Sequence, residues 1–205
     1  SSSAASDVYK RQVYAGAEVA PAAAASGDGV TPTLWGATDR VIATASLSKA
    51  YGLQGLRLGW LVAPAALRED LWARKDYTSI APAVLSDRLA RAALETGVRR
   101  RLLERARGIV RGNLAIVEEW ATTMPGLRFH RPDAGAICLF GYEPGPTSLE
   151  LAERLRVEHS VLIVPGAHFG LEGTFRIGFG YEPEKLPGGL AAVAAALGAG
   201  AGARA

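Results

Sequence analysis

From Val84 to Thr122 apolar residues recur three and four positions apart, as in "LLERARGIVRGNLAIVEEW", which is the spacing of a helix that buries one face. The pattern predicts a helical region over Val84–Thr122, interrupted near Gly97, with a shorter helix over Ala65–Tyr77 before it. Elsewhere the apolar runs are short and rich in β-branched and aromatic residues. "RVIATAS" and "RLGWLVAP" predict two buried strands, and "LRFHR", "AICLFGY", "VLIVP" and "TFRIGFG" predict four more. Ser148 is expected to cap a helix reaching about His159, "PEKLPGGLAAVAAAL" to form a closing helix, and the final "GAGAGARA" to fray.

Residues 1–39 lack either periodicity; "APAAAASGDGVTPT" from Ala20 to Thr33 is built of small and turn-forming residues and predicts an irregular surface segment. Ordered structure is expected from Arg40. Mixed strands and helices, with a change of character near residues 112–126, predict an α/β layer with bridging helices over 40–111 and a smaller α+β domain over 112–205. No internal repeat is visible.

Composition narrows the classes of function. In 205 residues, a 49% hydrophobic content suffices for a packed core. No uninterrupted apolar run approaches the roughly 18 residues of a membrane helix, and no basic-then-apolar leader opens the chain, so neither a membrane nor export is expected and the cytoplasm is the expected location. The net charge of +3 is modest, and the densest basic run, "RRRLLERAR" from Arg99 to Arg107, is interleaved with leucines as on a solvated helix face. Nucleic acid is therefore not an expected partner. The single cysteine, Cys138, lies in the apolar run "AICLF" and predicts a buried strand thiol. His130, His159 and His168 are too far apart to share ligand spacing, and no metal is expected.

The chemistry is concentrated in "SLSKAYGLQGLRLGW", Ser46–Trp60. A lysine set among apolar residues has its charge disfavoured by desolvation, which lowers its pKa and makes the amine a nucleophile toward carbonyls. Hydroxyls at Ser46 and Ser48 and the guanidinium of Arg57 are donors suited to a phosphate. Gly52, Gly55 and Gly59 let the backbone turn tightly and approach a bulky ligand. A lysine able to form an imine beside a phosphate cradle implies pyridoxal 5'-phosphate.

This segment resembles the pyridoxal-phosphate lysine segment of the class I/II aminotransferases, of the aspartate-aminotransferase-like fold. "PGAHFGLEGTFRIGFG", Pro165–Gly180, is similar to the family's late segment, in which a strand arginine binds the substrate α-carboxylate, and "RPDAGAICLF" to a strand of its small domain. The resemblance covers about Val41 to Leu197. It implies an α/β chain comprising the C-terminal part of the large cofactor domain and the smaller α+β domain. It also implies that Lys49 binds the cofactor covalently and shuttles a proton, that Ser46, Ser48 and Arg57 hold the phosphate, and that Arg176 clamps the substrate carboxylate. For Arg176 the alternative is an ordinary strand arginine in an ion pair. Tyr51 and Trp60 are expected to pack, and Tyr77 either to face substrate or to be an ordinary helix-end aromatic.

The start departs from the family pattern. Relatives place an aspartate three residues before a tyrosine, the first holding the pyridine nitrogen and the second the ring oxygen. In "SDVYKRQVYAGAE" Tyr14 best matches the tyrosine, yet Arg11 stands three residues before it; Asp7, two residues before Tyr9, remains a candidate. "DVYKRQ" resembles translated adaptor sequence, so residues 1 to about 11 are expected not to be native, and the chain to be a C-terminal portion lacking half the pocket and inactive alone. The implied activity is amino-group exchange between an amino acid and a 2-oxo acid in a homodimer of the full-length protein. The alternatives are a lyase or cyclase of amino-acid or natural-product metabolism, or a non-catalytic portion of the fold.

Overall fold

In the computed structural model the described residues are Trp35, Thr38 and 40–201 apart from Asp133 and Pro144. Tyr14 and the expectations for Asp7 and the chain start lie outside them. The chain divides into two compact units, Ser1–Arg107 and Gly108–Ala205.

In the first unit, β1 (Ala43–Ser46) and β2 (Gly59–Val62) pair antiparallel in a register running from Ala43 opposite Val62 to Ser46 opposite Gly59. They are not the buried strands expected. Every residue of β2 is exposed, Trp60 among them, because this sheet has only two strands and no layer of the described residues covers β2. A 3-10 turn at Ala65–Leu67 leads into α1 (Arg68–Asp76), whose first turn carries Glu69 and Asp70 and whose last carries Arg74 and Lys75, each sign opposing the helix dipole at its end. Helix α2 (Val84–Leu94) buries only the small residues Ala90 and Ala93. Extended backbone at Glu95 (φ −55, ψ 136) breaks the helical run before α3 (Thr96–Thr122), which passes from the first unit into the second. The basic run lies on α3 with Leu103 buried and Arg100, Arg101 and Arg105 exposed, as the leucine spacing requires.

The second unit is a four-stranded antiparallel sheet in the order β3 (Leu127–Phe129), β4 (Ile137–Tyr142), β6 (Thr174–Gly178), β5 (Val164–Pro165). Period-two alternation decides which residues form the core. Cys138, Phe140 and Tyr142 of β4 and Phe175 and Ile177 of β6 face inward and are buried, as are Leu114 and Val117 of α3, Leu151 and Leu155 of α4 (Ser148–His159), and Leu190 and Val193 of α5 (Leu186–Ala201). Phe140 stacks on Phe129 and Phe175 and meets Trp120 edge-on at 5.5 Å. Burying rings of this size contributes about 2–3 kcal/mol each before entropy is counted. The other sheet face, with Ile137 and Leu139, is exposed.

Three local expectations are corrected. The cap of α4 is Thr147, not Ser148: its hydroxyl accepts from the Glu150 N–H while Glu150 accepts from the Thr147 N–H, a complete capping box. Ser148 is fully buried, and its hydroxyl donates to Glu172 instead. Of "VLIVP" only Val164–Pro165 is strand. The closing helix continues through Gly198 to Ala201 where fraying was expected. Cys138 is the buried thiol expected; burial first and the Glu118 charge second push it up to about 12, so it stays protonated at neutral pH. No helix among the described residues is long and apolar enough to cross a membrane.

Candidate functional site

The chain from Ser46 to Gly59 is a long hairpin loop closed by backbone pairing. Ser46 lies opposite Gly59, and the Leu47 N–H donates to the Leu58 carbonyl at 3.1 Å. Ser46, Ser48, Lys49 and Arg57, up to eleven positions apart in sequence, are thereby carried to one end of one hairpin. The close approach of the strands requires Gly59, since a Cβ there would stand 2.7 Å from the Ala45 carbonyl oxygen. Gly52 supplies a left-handed turn at φ 67, donating to the Lys49 carbonyl. Gly55 meets nothing that would exclude a side chain.

Within the loop, apolar and chemical residues separate cleanly. Leu47, Ala50 and Tyr51 are buried and anchor it, the Tyr51 hydroxyl accepting from Arg99 Nε at 3.3 Å, whereas Lys49 is exposed. The apolar residues expected to bury the lysine are themselves buried, while Lys49 lies at the surface of this unit. Ser46 Oγ accepts from the Ser48 N–H at 3.3 Å, which fixes that hydroxyl at the strand end.

Arg57 closes the 3-10 turn Gln54–Leu56 in the left-handed region, φ 49 and ψ 38. Its N–H and its guanidinium both donate to the Gln54 carbonyl, at 3.3 and 3.2 Å. A left-handed backbone costs a residue with a Cβ about 1–2 kcal/mol, so the loop holds this arginine against its own preference. It is exposed and forms no ion pair with a carboxylate among the described residues.

In the second unit Arg176 lies on the outward face of β6, half-buried, with Leu139 of β4 opposite it on one side and Val164 of β5 on the other. Its Cζ stands 5.0 Å from the centroid of the Phe169 ring. No carboxylate among the described residues pairs with it, so the ion-pair alternative is not what this unit contains. Phe169 and Leu139 were not singled out from sequence: "PGAHFG" displays the aromatic, but only the strand register brings it to Arg176. Tyr77, at the end of α1, is 94% exposed. A shallow depression bounded by Tyr142, Thr147 and Glu172 lies at the start of α4 and holds none of these residues. Among the described residues no cluster of histidine, cysteine and carboxylate side chains could hold a metal.

Residues 7–193 match the family described as aminotransferase class I and II. Capreomycidine synthase of Streptomyces vinaceus is 38% identical over 164 residues, which are 78% of this chain and 41% of that protein. An arginine–pyruvate transaminase of Pseudomonas aeruginosa is 34% identical over 185 residues, 86% of this chain and 43% of that protein. The crystal structure of a PLP-dependent aminotransferase from Streptococcus suis superposes with a TM-score of 0.76 at 34% identity, over 82% of this chain and 44% of that one. The chain thus spans less than half the length of the curated relatives it matches. Because the matched span runs through both the lysine hairpin and the arginine strand, the chain belongs to the aminotransferase class I and II family.

Proposed function

We propose that this chain carries the covalent and anchoring residues of a pyridoxal-phosphate-dependent aminotransferase that exchanges the amino group of an amino acid with a 2-oxo acid. The observation that carries this reading is the hairpin register, by which Lys49, two serine hydroxyls and an arginine with no carboxylate partner among the described residues share one end of β1–β2. That donor set fits the cofactor: an amine for its aldehyde, and hydroxyls with a guanidinium for its phosphate. When bound, pyridoxal phosphate supplies an aldehyde that captures amines and a ring that draws electrons from the substrate's Cα.

The residues divide the remaining work. Lys49 Nζ would hold the cofactor through its aldehyde, and the same amine would take the proton from the substrate Cα. Ser46, Ser48 and Arg57 hold the phosphate, the arginine with a fixed charge. Arg176 binds the α-carboxylate through its planar fork, which orients the Cα–H bond. Tyr14 is assigned to the ring oxygen on sequence resemblance. The active form we propose is a homodimer of the full-length protein.

A second reading is favoured by the 38% identity to capreomycidine synthase, whose name denotes a synthesis rather than an amino-group exchange. The two separate on one assay of the full-length holoenzyme, with arginine as the first amino donor because of the transaminase relative. Glutamate formed in step with 2-oxoglutarate consumed supports transamination. Turnover that needs no oxo acid supports elimination or cyclisation and overturns the first reading.

A further inference from the structure

We infer that Phe169 is a positioning residue for Arg176: its ring holds the guanidinium in the orientation that receives the substrate carboxylate. This rests on the carboxylate-anchor reading above. Arg176 stands on an exposed sheet face between Leu139 and Val164, neither of which offers a hydrogen bond from its side chain. An arginine there has many rotamers, and no polar partner among the described residues selects one. The Phe169 ring, 5.0 Å from Cζ, is what selects. A cation over a ring face is held without spending its N–H donors, so the fork remains available to a carboxylate.

The ring is itself held by a rigid support. Phe169 ends the 3-10 turn Gly166–Phe169, closed by Gly170 at φ 70, whose N–H donates to the Ala167 carbonyl at 3.1 Å. Gly166 is buried where a Cβ would collide with Thr174 Oγ1 and the Leu171 carbonyl, so the turn lies directly against the start of β6. The Thr174 hydroxyl donates to that same Leu171 carbonyl at 2.6 Å. The turn and the strand bearing Arg176 therefore move as one piece. Phe169 is 48% exposed, more than a residue serving only as core filler requires.

The test is a substitution series in the full-length holoenzyme. Phe169→Ala and Phe169→Leu are expected to raise KM for the amino acid and for the 2-oxo acid by the same factor, about 2- to 30-fold, with kcat falling less than KM rises. Phe169→Trp is expected to retain the parent KM. Calorimetric Kd for 2-oxoglutarate is expected to follow the same order. Leucine preserves bulk but not the ring, so a parent-like KM in Phe169→Leu overturns the inference, as does an unchanged Kd in Phe169→Ala. Arg176→Ala separates the two readings. If it leaves KM and Kd unchanged, the carboxylate-anchor reading itself fails; if it raises them while both Phe169 variants do not, only the positioning role fails.

Discussion

Glu172 grips Ser148 with both carboxylate oxygens, one accepting the backbone N–H at 2.5 Å and the other the hydroxyl at 3.1 Å, so that a glutamate from the loop before β6 secures the first turn of α4. The Gly173 N–H donates to the same carboxylate at 3.1 Å, and these hydrogen bonds, the two backbone ones foremost, hold the acid below its ordinary value of 4.5. A carboxylate with a depressed folded pKa stabilises the fold fully above the unfolded value, and the contribution is lost as pH falls through the folded one. Thermal unfolding of the full-length protein is thus expected to show a midpoint that drops below about pH 4.5. Glu172→Gln should lower the midpoint at neutral pH and converge on the parent in acid. A constant difference at every pH would show that the charge is not what matters.

Phe140 is fully buried at the centre of the second unit's aromatic cluster, against Phe129, Phe175 and Trp120. Phe140→Ala leaves a cavity that rigid strands cannot close, and a loss of about 3–5 kcal/mol is expected from denaturant unfolding. A loss below about 1 kcal/mol would mean that the helices collapse onto the site.

Lys49 and Arg57 are expected to fail in different ways when replaced in the full-length protein. Lys49→Ala removes both the attachment point and the proton carrier, so turnover should vanish. Arg57→Ala removes one charged hydrogen-bonding group worth about 1.5–3 kcal/mol and should mainly weaken cofactor retention. Turnover that survives in Lys49→Ala would sink the mechanism.

The backbone of Arg57 makes a further variant informative. At φ 49 a glycine is unstrained, so Arg57→Gly is expected to raise stability by about 1 kcal/mol while weakening cofactor binding more than tenfold. The opposite signs are the point: thermal midpoint without cofactor should rise, and the cofactor Kd should rise with it. A lower midpoint would place the strain elsewhere.

How much of this is legible in the sequence follows from how local each cause is. Lys49 and its serines sit within a few positions of one another, so their grouping is visible as a string; that Arg57 reaches the same hairpin end depends on the Leu47–Leu58 closure. Its left-handed backbone leaves no trace, because arginine rather than glycine or asparagine occupies the position. Thr147–Glu150 spells a capping box in plain letters, and the adjacent Ser148 drew attention from it because both hydroxyls suit a cap; the tie to Glu172 that decides between them spans 24 positions. The Phe169–Arg176 pair is likewise a product of turn and register. The burial expected for β1 and β2 was inferred from composition, and composition does not tell whether anything lies over a strand.

That last gap leads to the behaviour expected of these 205 residues expressed alone. Trp60, Leu61 and Val62 are exposed along β2, and Trp72, Ile80, Val84, Leu85 and Leu89 along or between the two helices that follow. A two-stranded sheet is marginal in water, and a strand with apolar exposure and an unpaired edge invites pairing with other chains. The second unit, by contrast, closes its own core around Phe140, Leu155 and Val193. The expressed chain should therefore bind a hydrophobic dye, sediment as aggregates, and protect amides against hydrogen exchange in β4 and β6 far more than in β1 and β2. Lys49 is an accessible amine, so cofactor followed by borohydride should label it, though no better than other exposed lysines such as Lys75. Transamination by this chain should be absent. Monomeric sedimentation, together with tight, Lys49-selective labelling and turnover, would show that the exposed face of the first unit needs no cover and that the residues between Ser46 and Arg176 suffice for the whole reaction.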